Sequence, residues 1–253
     1  MRSPEVSGAL DTLPRLSAAD VPAVTRDQMR EVDRLMIEEF GIQLLQMMEN
    51  AGLNLAELVR LHLDGEPAGR RVVVLAGRGN NGGGGLTAAR RLSAWGAIVE
   101  VVLTVEPSEL RDVPELQLGI LQQMGVPARR FDRALPAHEV LIDAVIGYSL
   151  EGPPQGVPRD LIAAANGSSA VVISLDVPSG IDVDTGEAPG EAVKATATMT
   201  LALPKRGFLE AGSLAYVGGL YLADISVPPG LYTKLGLSVP SLFERGPLVM
   251  IRS

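Results

Sequence analysis

Residues 71–96, RVVVLAGRGNNGGGGLTAARRLSAWG, decide the fold. The opening RVVVLA is a β-branched run with no polar break, which reads as a strand buried on both faces. Residues 77–85, GRGNNGGGG, follow as a loop, and 86–96 as a helix. Strand, glycine-rich loop and helix in that order open a βαβ unit. Glycine tolerates positive φ and lets a ligand approach the backbone. The free N–H groups at the helix start suit a phosphate. Five glycines within residues 79–85 are more than a tight turn requires.

Working outward, the same alternation continues. Upstream, Met29, Val32, Leu35 and Met36 recur at helical spacing behind Thr25, an N-cap with Gln28 three residues on. A second helix is expected over 43–63. Downstream, strands are expected over 97–105, 140–146, 170–175 and 196–203, with helices over 115–124 and 158–165. A last strand pair is expected within 216–225, around Gly218 and Gly219. Strands alternating with helices predict an α/β fold with a mostly parallel sheet covered on both faces. One domain is expected over 25–237. Residues 1–24 read as a loosely ordered leader draped on the surface, and 238–253 as a tail.

The composition excludes several classes. With 253 residues and 46% apolar content, the chain can bury a sizeable core. It has no cysteine, so disulfides, thiolate nucleophiles and iron–sulfur clusters are out. Two histidines, His62 and His138, are too few for a His-rich metal site. A net charge of −8 disfavours nucleic-acid backbones and anionic membranes as partners. No apolar run approaches the length of a transmembrane helix. The N-terminus lacks the continuous apolar core of a signal peptide. A cytoplasmic location is the simplest expectation.

Ligands of parallel sheets bind where strands end, and polar residues gather at these predicted ends. Asp143 lies in the 140–146 strand, before Gly147. Asp176 opens DVPSGID after the 170–175 strand, with Ser179 and Gly180 behind it. A carboxylate with a hydroxyl and backbone carbonyls can hold a hard cation or a sugar hydroxyl, although DVPSG is also rich in turn formers. Lys205 is one of only three lysines and follows the 196–203 strand, where it is a candidate for a ligand phosphate or a solvated charge. Gly77, Gly79 and Gly82 formally match G-x-G-x-x-G, with Glu100 near the spacing of a ribose-binding acid. Glu100 falls in mid-strand, however, where that acid should stand at the strand's end.

Taken in order, TRDQMREVDR, MMENAG (47–52), VLAGRGNNGG (74–83), DAVIG (143–147), DVPSGIDVDTG (176–186), TLALPKRG (200–207) and ADISVP (223–228) resemble the YjeF N-terminal-domain family, the NAD(P)H-hydrate epimerases. The likeness spans about residues 25–228. It implies a Rossmann-like three-layer α/β/α sandwich, often dimeric. The implied activity interconverts the R and S forms of hydrated NADH or NADPH, so that an ADP/ATP-dependent dehydratase can restore the cofactor. Carried over by position, Asn80, Asn81, Gly82, Gly83 and Gly84 would contact the dinucleotide. Gly147, Tyr148, Ser149, Leu150, Glu151, Gly152 and Pro153 would wrap it. Asp176 would meet the nicotinamide end. The chemistry itself makes the Asp176 carboxylate a candidate acid and base, and Lys205 remains a candidate for binding the dinucleotide. Asn81, Asp143 and Ser179 would hold a potassium ion.

Two stretches depart from the family pattern. Gly84 stands where an aspartate is usual in NNGGDG, and Tyr148 and Ser149 replace the end of a G-T-G turn. The length leaves no room for the kinase-like dehydratase that bacterial relatives often carry fused, so that partner is expected to be a separate chain. Three readings stand at this point: an active epimerase, a non-catalytic binding or interaction protein that keeps the pocket, and a dehydrogenase resting on the G-x-G-x-x-G match alone.

Overall fold

The structure, a computed structural model, describes residues 8–252. Its centre is a nine-stranded sheet ordered β1-β9-β8-β7-β6-β5-β2-β3-β4. The strands are β1 (Arg15–Ser17), β2 (Arg71–Ala76), β3 (Ile98–Leu103), β4 (Ala128–Arg130), β5 (Val140–Ala144), β6 (Val171–Leu175), β7 (Ala197–Leu201), β8 (Gly219–Ala223) and β9 (Leu248–Arg252). Every pairing is parallel except β8 with β9. The α/β class and mostly parallel sheet expected from the sequence are what is found.

The main helices are α1 (Arg26–Glu38), α2 (Leu44–His62), α3 (Asn80–Ala94), α4 (Asp112–Gln123) and α5 (Gly156–Asn166). Short helices α6 (Leu214–Val217) and α7 (Pro229–Lys234) follow. The period-2 rule assigns the faces of β2. Val72, Val74 and Ala76 join the large core beneath α2, α3 and α4, while Val73 and Leu75 join Leu161 and Ile162 of α5 on the other face. Three layers result. Thr25 caps α1 with the expected box: its hydroxyl accepts from the Gln28 N–H, and the Gln28 side chain accepts from the Thr25 N–H.

The glycine-rich stretch departs most from expectation. Residues 80–85, read as loop, form the first turns of α3, leaving only 77–79 as the connection. Glycine in a helix interior costs about 1 kcal/mol relative to alanine, so propensity argues for a loop. Packing overrides it. A Cβ at Gly84 would stand 2.7 Å from Leu175 Cδ2, and one at Gly85 2.5 Å from Ala144 Cβ. The glycines let α3 lie directly on β5 and β6.

The ends of the chain also differ. Residues 15–17, within the stretch read as a loose leader, and 248–252, within the tail, are strands of the same sheet, with β1 pairing to β9 and β9 to β8; residues 1–7 of that leader lie outside the described residues. The pair expected around Gly218 is a single strand, β8, entered from α6.

Candidate functional site

From β2 the chain moves out through β3 and β4, and from β5 it moves the other way through β6, β7 and β8. The crevice between β2 and β5 is therefore a topological switch point, where open α/β sheets bind ligands. A cavity of about 700 Å³ opens there. Arg78, Asn80 and Asn81 line it after β2, Gly147, Tyr148 and Ser149 after β5, and Asp176 after β6. Met29 and Asp33 of α1 and Met47 and Met48 of α2 close the remaining wall.

Asp176 sits in unusual backbone. Its φ is +64°, and the Val177 N–H donates to the Leu175 carbonyl at 2.8 Å, a tight three-residue turn. Such a conformation costs a non-glycine residue of the order of 1–3 kcal/mol and clusters at functional sites. Ala202, at the end of β7, repeats the device with φ +64° and a Leu203 N–H to Leu201 carbonyl bond of 2.7 Å. Together the two turns bring Lys205 back under Asp176. The ammonium lies 2.7 Å from Asp176 Oδ1, and Leu201 N–H donates to the same oxygen at 3.3 Å.

The expectation that Lys205 meets a ligand phosphate is corrected here. The side chain is fully buried. Besides Asp176, its ammonium reaches Thr200 Oγ1 at 3.0 Å and the carbonyls of Leu201 and Leu203 at 3.1 and 3.3 Å. Three N–H groups facing four acceptors leave none for a phosphate. Lys205 serves as the counter-charge to Asp176.

Asp143 is the second buried aspartate, one strand away. Its carboxylate accepts from the Ser179 hydroxyl (2.6 Å), the Ser179 N–H (2.8 Å), the Ser174 hydroxyl (2.8 Å) and the Val145 N–H (3.3 Å). Burial pushes its pKa up, and these donors pull against that shift. Ser179 Oγ also accepts from the Ile146 N–H at 2.8 Å, which ties the DVPSG turn to the loop after β5. Asn81 packs against Gly147 of the same loop, and its Nδ2 is buried without a hydrogen-bond partner. Asn81, Asp143 and Ser179 are thus gathered around residues 145–147. They offer a carboxylate, a hydroxyl and an amide oxygen, which fits a hard cation. Among the described residues, no cluster of three or more His, Asp or Glu side chains is placed to hold a metal, so any such site must be of this mixed kind.

Other expected residues fall less centrally. Gly82, Gly83 and Gly84 are buried behind Asn81 rather than lining the cavity. Leu150, Glu151, Gly152 and Pro153 run beyond its rim, with Leu150 turned into the protein and the other three exposed. Glu100 pairs with Arg129 at 3.2 Å and does not line the cavity, which removes the dehydrogenase reading's ribose-binding acid. His62 is structural: its Nδ1 donates to the Leu58 carbonyl at 2.9 Å and its ring packs edge-on to Tyr221.

Asp33 went unnoticed in the sequence. The Tyr148 hydroxyl donates to its Oδ2 at 2.6 Å, and both side chains line the cavity. Burial raises its pKa to about 6; the Tyr148 bond opposes this shift and the charge of Asp176 adds to it. A signal was present. Asp33 lies four residues after Met29 and three before Met36, so helical spacing places it on the inward face of α1.

A profile described as "YjeF-related protein N-terminus" matches residues 44–207. A protein of Dehalogenimonas lykanthroporepellens named "NAD(P)H-hydrate epimerase" is 44% identical, across 91% of this chain and 93% of its own. One of the same name from Truepera radiovictrix is 42% identical, across 83% and 92% respectively. A "Bifunctional NAD(P)H-hydrate repair enzyme Nnr" of Moorella thermoacetica is 36% identical, and the match spans 41% of its length. The crystal structure of yeast ynu0 superposes with a TM-score of 0.76 at 25% identity, covering 91% of this chain and all of that one.

Proposed function

This chain belongs to the family of YjeF-related protein N-termini, and from that premise we infer that it is an NAD(P)H-hydrate epimerase. It interconverts the R and S forms of hydrated NADH and NADPH. The observation that carries the chemistry is the Asp176–Lys205 pair, a carboxylate with its own buried counter-ion, set at the cavity wall by a strained turn.

The hydrate bears a hydroxyl on a carbon beside the ring nitrogen. When that C–O bond breaks, the nitrogen lone pair stabilises the ring cation. Water then returns to either face. A fixed carboxylate lowers the energy of the cation electrostatically and can carry the proton. Lys205 holds the Asp176 carboxylate in place without occupying the cavity. Arg78, just before α3, and Asn80 and Asn81 in its first turn line the cavity and would receive the dinucleotide's phosphates through backbone N–H groups and a surface guanidinium.

The same reading assigns a potassium ion to Asn81, Asp143 and Ser179. The oxygen donors of Asn81, Asp143 and Ser179, gathered around residues 145–147, support it. When bound, the ion would supply positive charge beside Asp143 and the dinucleotide. The reading also carries a homodimer in the cytoplasm and an ADP/ATP-dependent hydrate dehydratase as functional partner. The relative named a bifunctional NAD(P)H-hydrate repair enzyme supports a second repair function as partner to this one. Among the described residues no helix is long and apolar enough to cross a membrane.

Purified R or S hydrate incubated with the protein and potassium tests the function. Appearance of the other epimer is expected, with a strong loss in Asp176→Asn. Dinucleotide binding without turnover would select the non-catalytic alternative.

A further inference from the structure

We propose that Asp33 is a second catalytic carboxyl of this pocket, serving the face of the nicotinamide ring opposite to Asp176. The proposal rests on the epimerase reading. Epimerisation at one carbon requires the hydroxyl to leave from one face and water to arrive at the other. One carboxyl reaches only one face of a ring that stays seated. A pocket that epimerises without turning its substrate needs a proton carrier on each side.

Asp33 and Asp176 are the only carboxyls that line the cavity among the described residues. They come from different elements, Asp33 from α1 and Asp176 from the end of β6. Their settings are complementary. Asp176 is ion-paired to an ammonium at 2.7 Å. Asp33 has a single neutral side-chain partner, the Tyr148 hydroxyl at 2.6 Å, and is free to keep a proton.

In one direction the Asp33 carboxyl gives its proton to the departing hydroxyl. The C–O bond breaks, its electron pair leaves with the water, and the ring nitrogen shares the positive charge. Water then adds from the Asp176 side, a new C–O bond forms, and the Asp176 carboxylate takes the released proton. One proton has crossed the pocket and no electrons are gained or lost. The reverse reaction, or exchange with solvent, returns it.

The groups facing Asp33 are Tyr148 from the loop after β5, Asp176 from β6 and Lys205 beyond it, with Arg30 one turn back on α1 near Tyr148. Burial and the charge of Asp176 favour the protonated form, while Tyr148 and Lys205 favour the ionised one. Activity should therefore fall as pH rises and the shared proton is lost.

The test is the pH profile of epimerisation for wild type, Asp33→Asn and Tyr148→Phe, alongside NADH-hydrate affinity and thermal unfolding. Asp33→Asn should lower kcat by about 10²-fold or more, within the range for general acid–base groups, with little change in affinity. Tyr148→Phe keeps the ring but removes a hydrogen bond to the ionised form, so the alkaline limb should move up by about one pH unit. A merely structural Asp33 would not move that limb. If wild type turns over and Asp33→Asn matches its kcat and profile, or loses only affinity, the role of Asp33 is overturned and the epimerase reading stands. If wild type turns over neither epimer, both fall.

Discussion

Asp143 and Asp176 stand at the ends of neighbouring strands, and both are almost completely buried. Their surroundings are opposites. Asp143 is met by two hydroxyls and two backbone N–H groups, all neutral. Asp176 is met by an ammonium and one N–H, and it faces a cavity. A buried carboxylate without a counter-ion is costly. At Asp176 the chain supplies the cation itself, through two strained turns and a folded-back lysine. At Asp143 it supplies only dipoles, two hydroxyls and two backbone N–H groups. Equal residue types on equal scaffolds thus meet opposite surroundings, because one counter-charge is covalently part of the chain.

Removing the internal cation should have the largest effect on stability. Lys205→Met strands Asp176 and should destabilise the protein by about 3–5 kcal/mol in denaturant unfolding. A smaller loss, together with full activity, would mean that the pair is not the organising charge.

Asp33 offers a pH-dependent effect of slightly smaller size. Its pKa is about 6 in the folded protein against 3.8 normally. The unfolded chain releases this proton first, so the folded state binds more protons between about pH 4 and 6. Stability from this group is therefore lost as pH rises through that window, about 3 kcal/mol in all. Comparing the pH–stability curves of wild type and Asp33→Asn isolates the difference, which should open between pH 4 and 6 and stay constant above.

Asp143→Asn turns an amide towards hydroxyl and N–H donors and should cost about 1–3 kcal/mol. It should also abolish any dependence of stability on potassium, measured as the change in Tm with added salt against a sodium control. Asp176→Asn should retain that dependence. Comparable and smaller effects lie outside both centres. Gly85→Ala presses on Ala144 of a fixed strand and should cost about 1–3 kcal/mol. Gly84→Ala meets only the end of the Leu175 side chain, and its gain in helix propensity should hold the net change under about 1 kcal/mol.

Much of this was legible before any coordinates. The unbroken run of β2 and the capping box of α1 announced their elements. Polar residues after each predicted strand pointed to the candidate site, because parallel strands place all their carboxyl ends on one edge. What failed did so for tertiary reasons. Residues 80–85 look like a loop because glycine is a poor helix former, and only the closeness of α3 to the sheet explains them. Lys205 looks like a phosphate ligand until the turn at Ala202 buries it. Residues 15–17 and 248–252 are short and become strands only through each other and β8. Asp33 carries its meaning in a contact with a residue 115 positions away. The aspartate missing at position 84 would have pointed at Leu175 and Met48, into apolar surroundings, so Gly84 does not empty the Asp143 or Asp176 clusters.

The central claim is that Asp176, held by Lys205, carries the chemistry of hydrate epimerisation. Its most direct test follows purified S or R hydrate of NADH by chromatography with wild type and Asp176→Asn, in potassium buffer and with folding checked by circular dichroism. The account predicts conversion by wild type and a fall of about 10²–10⁴-fold in the variant. A folded Asp176→Asn protein that epimerises at the wild-type rate would contradict it.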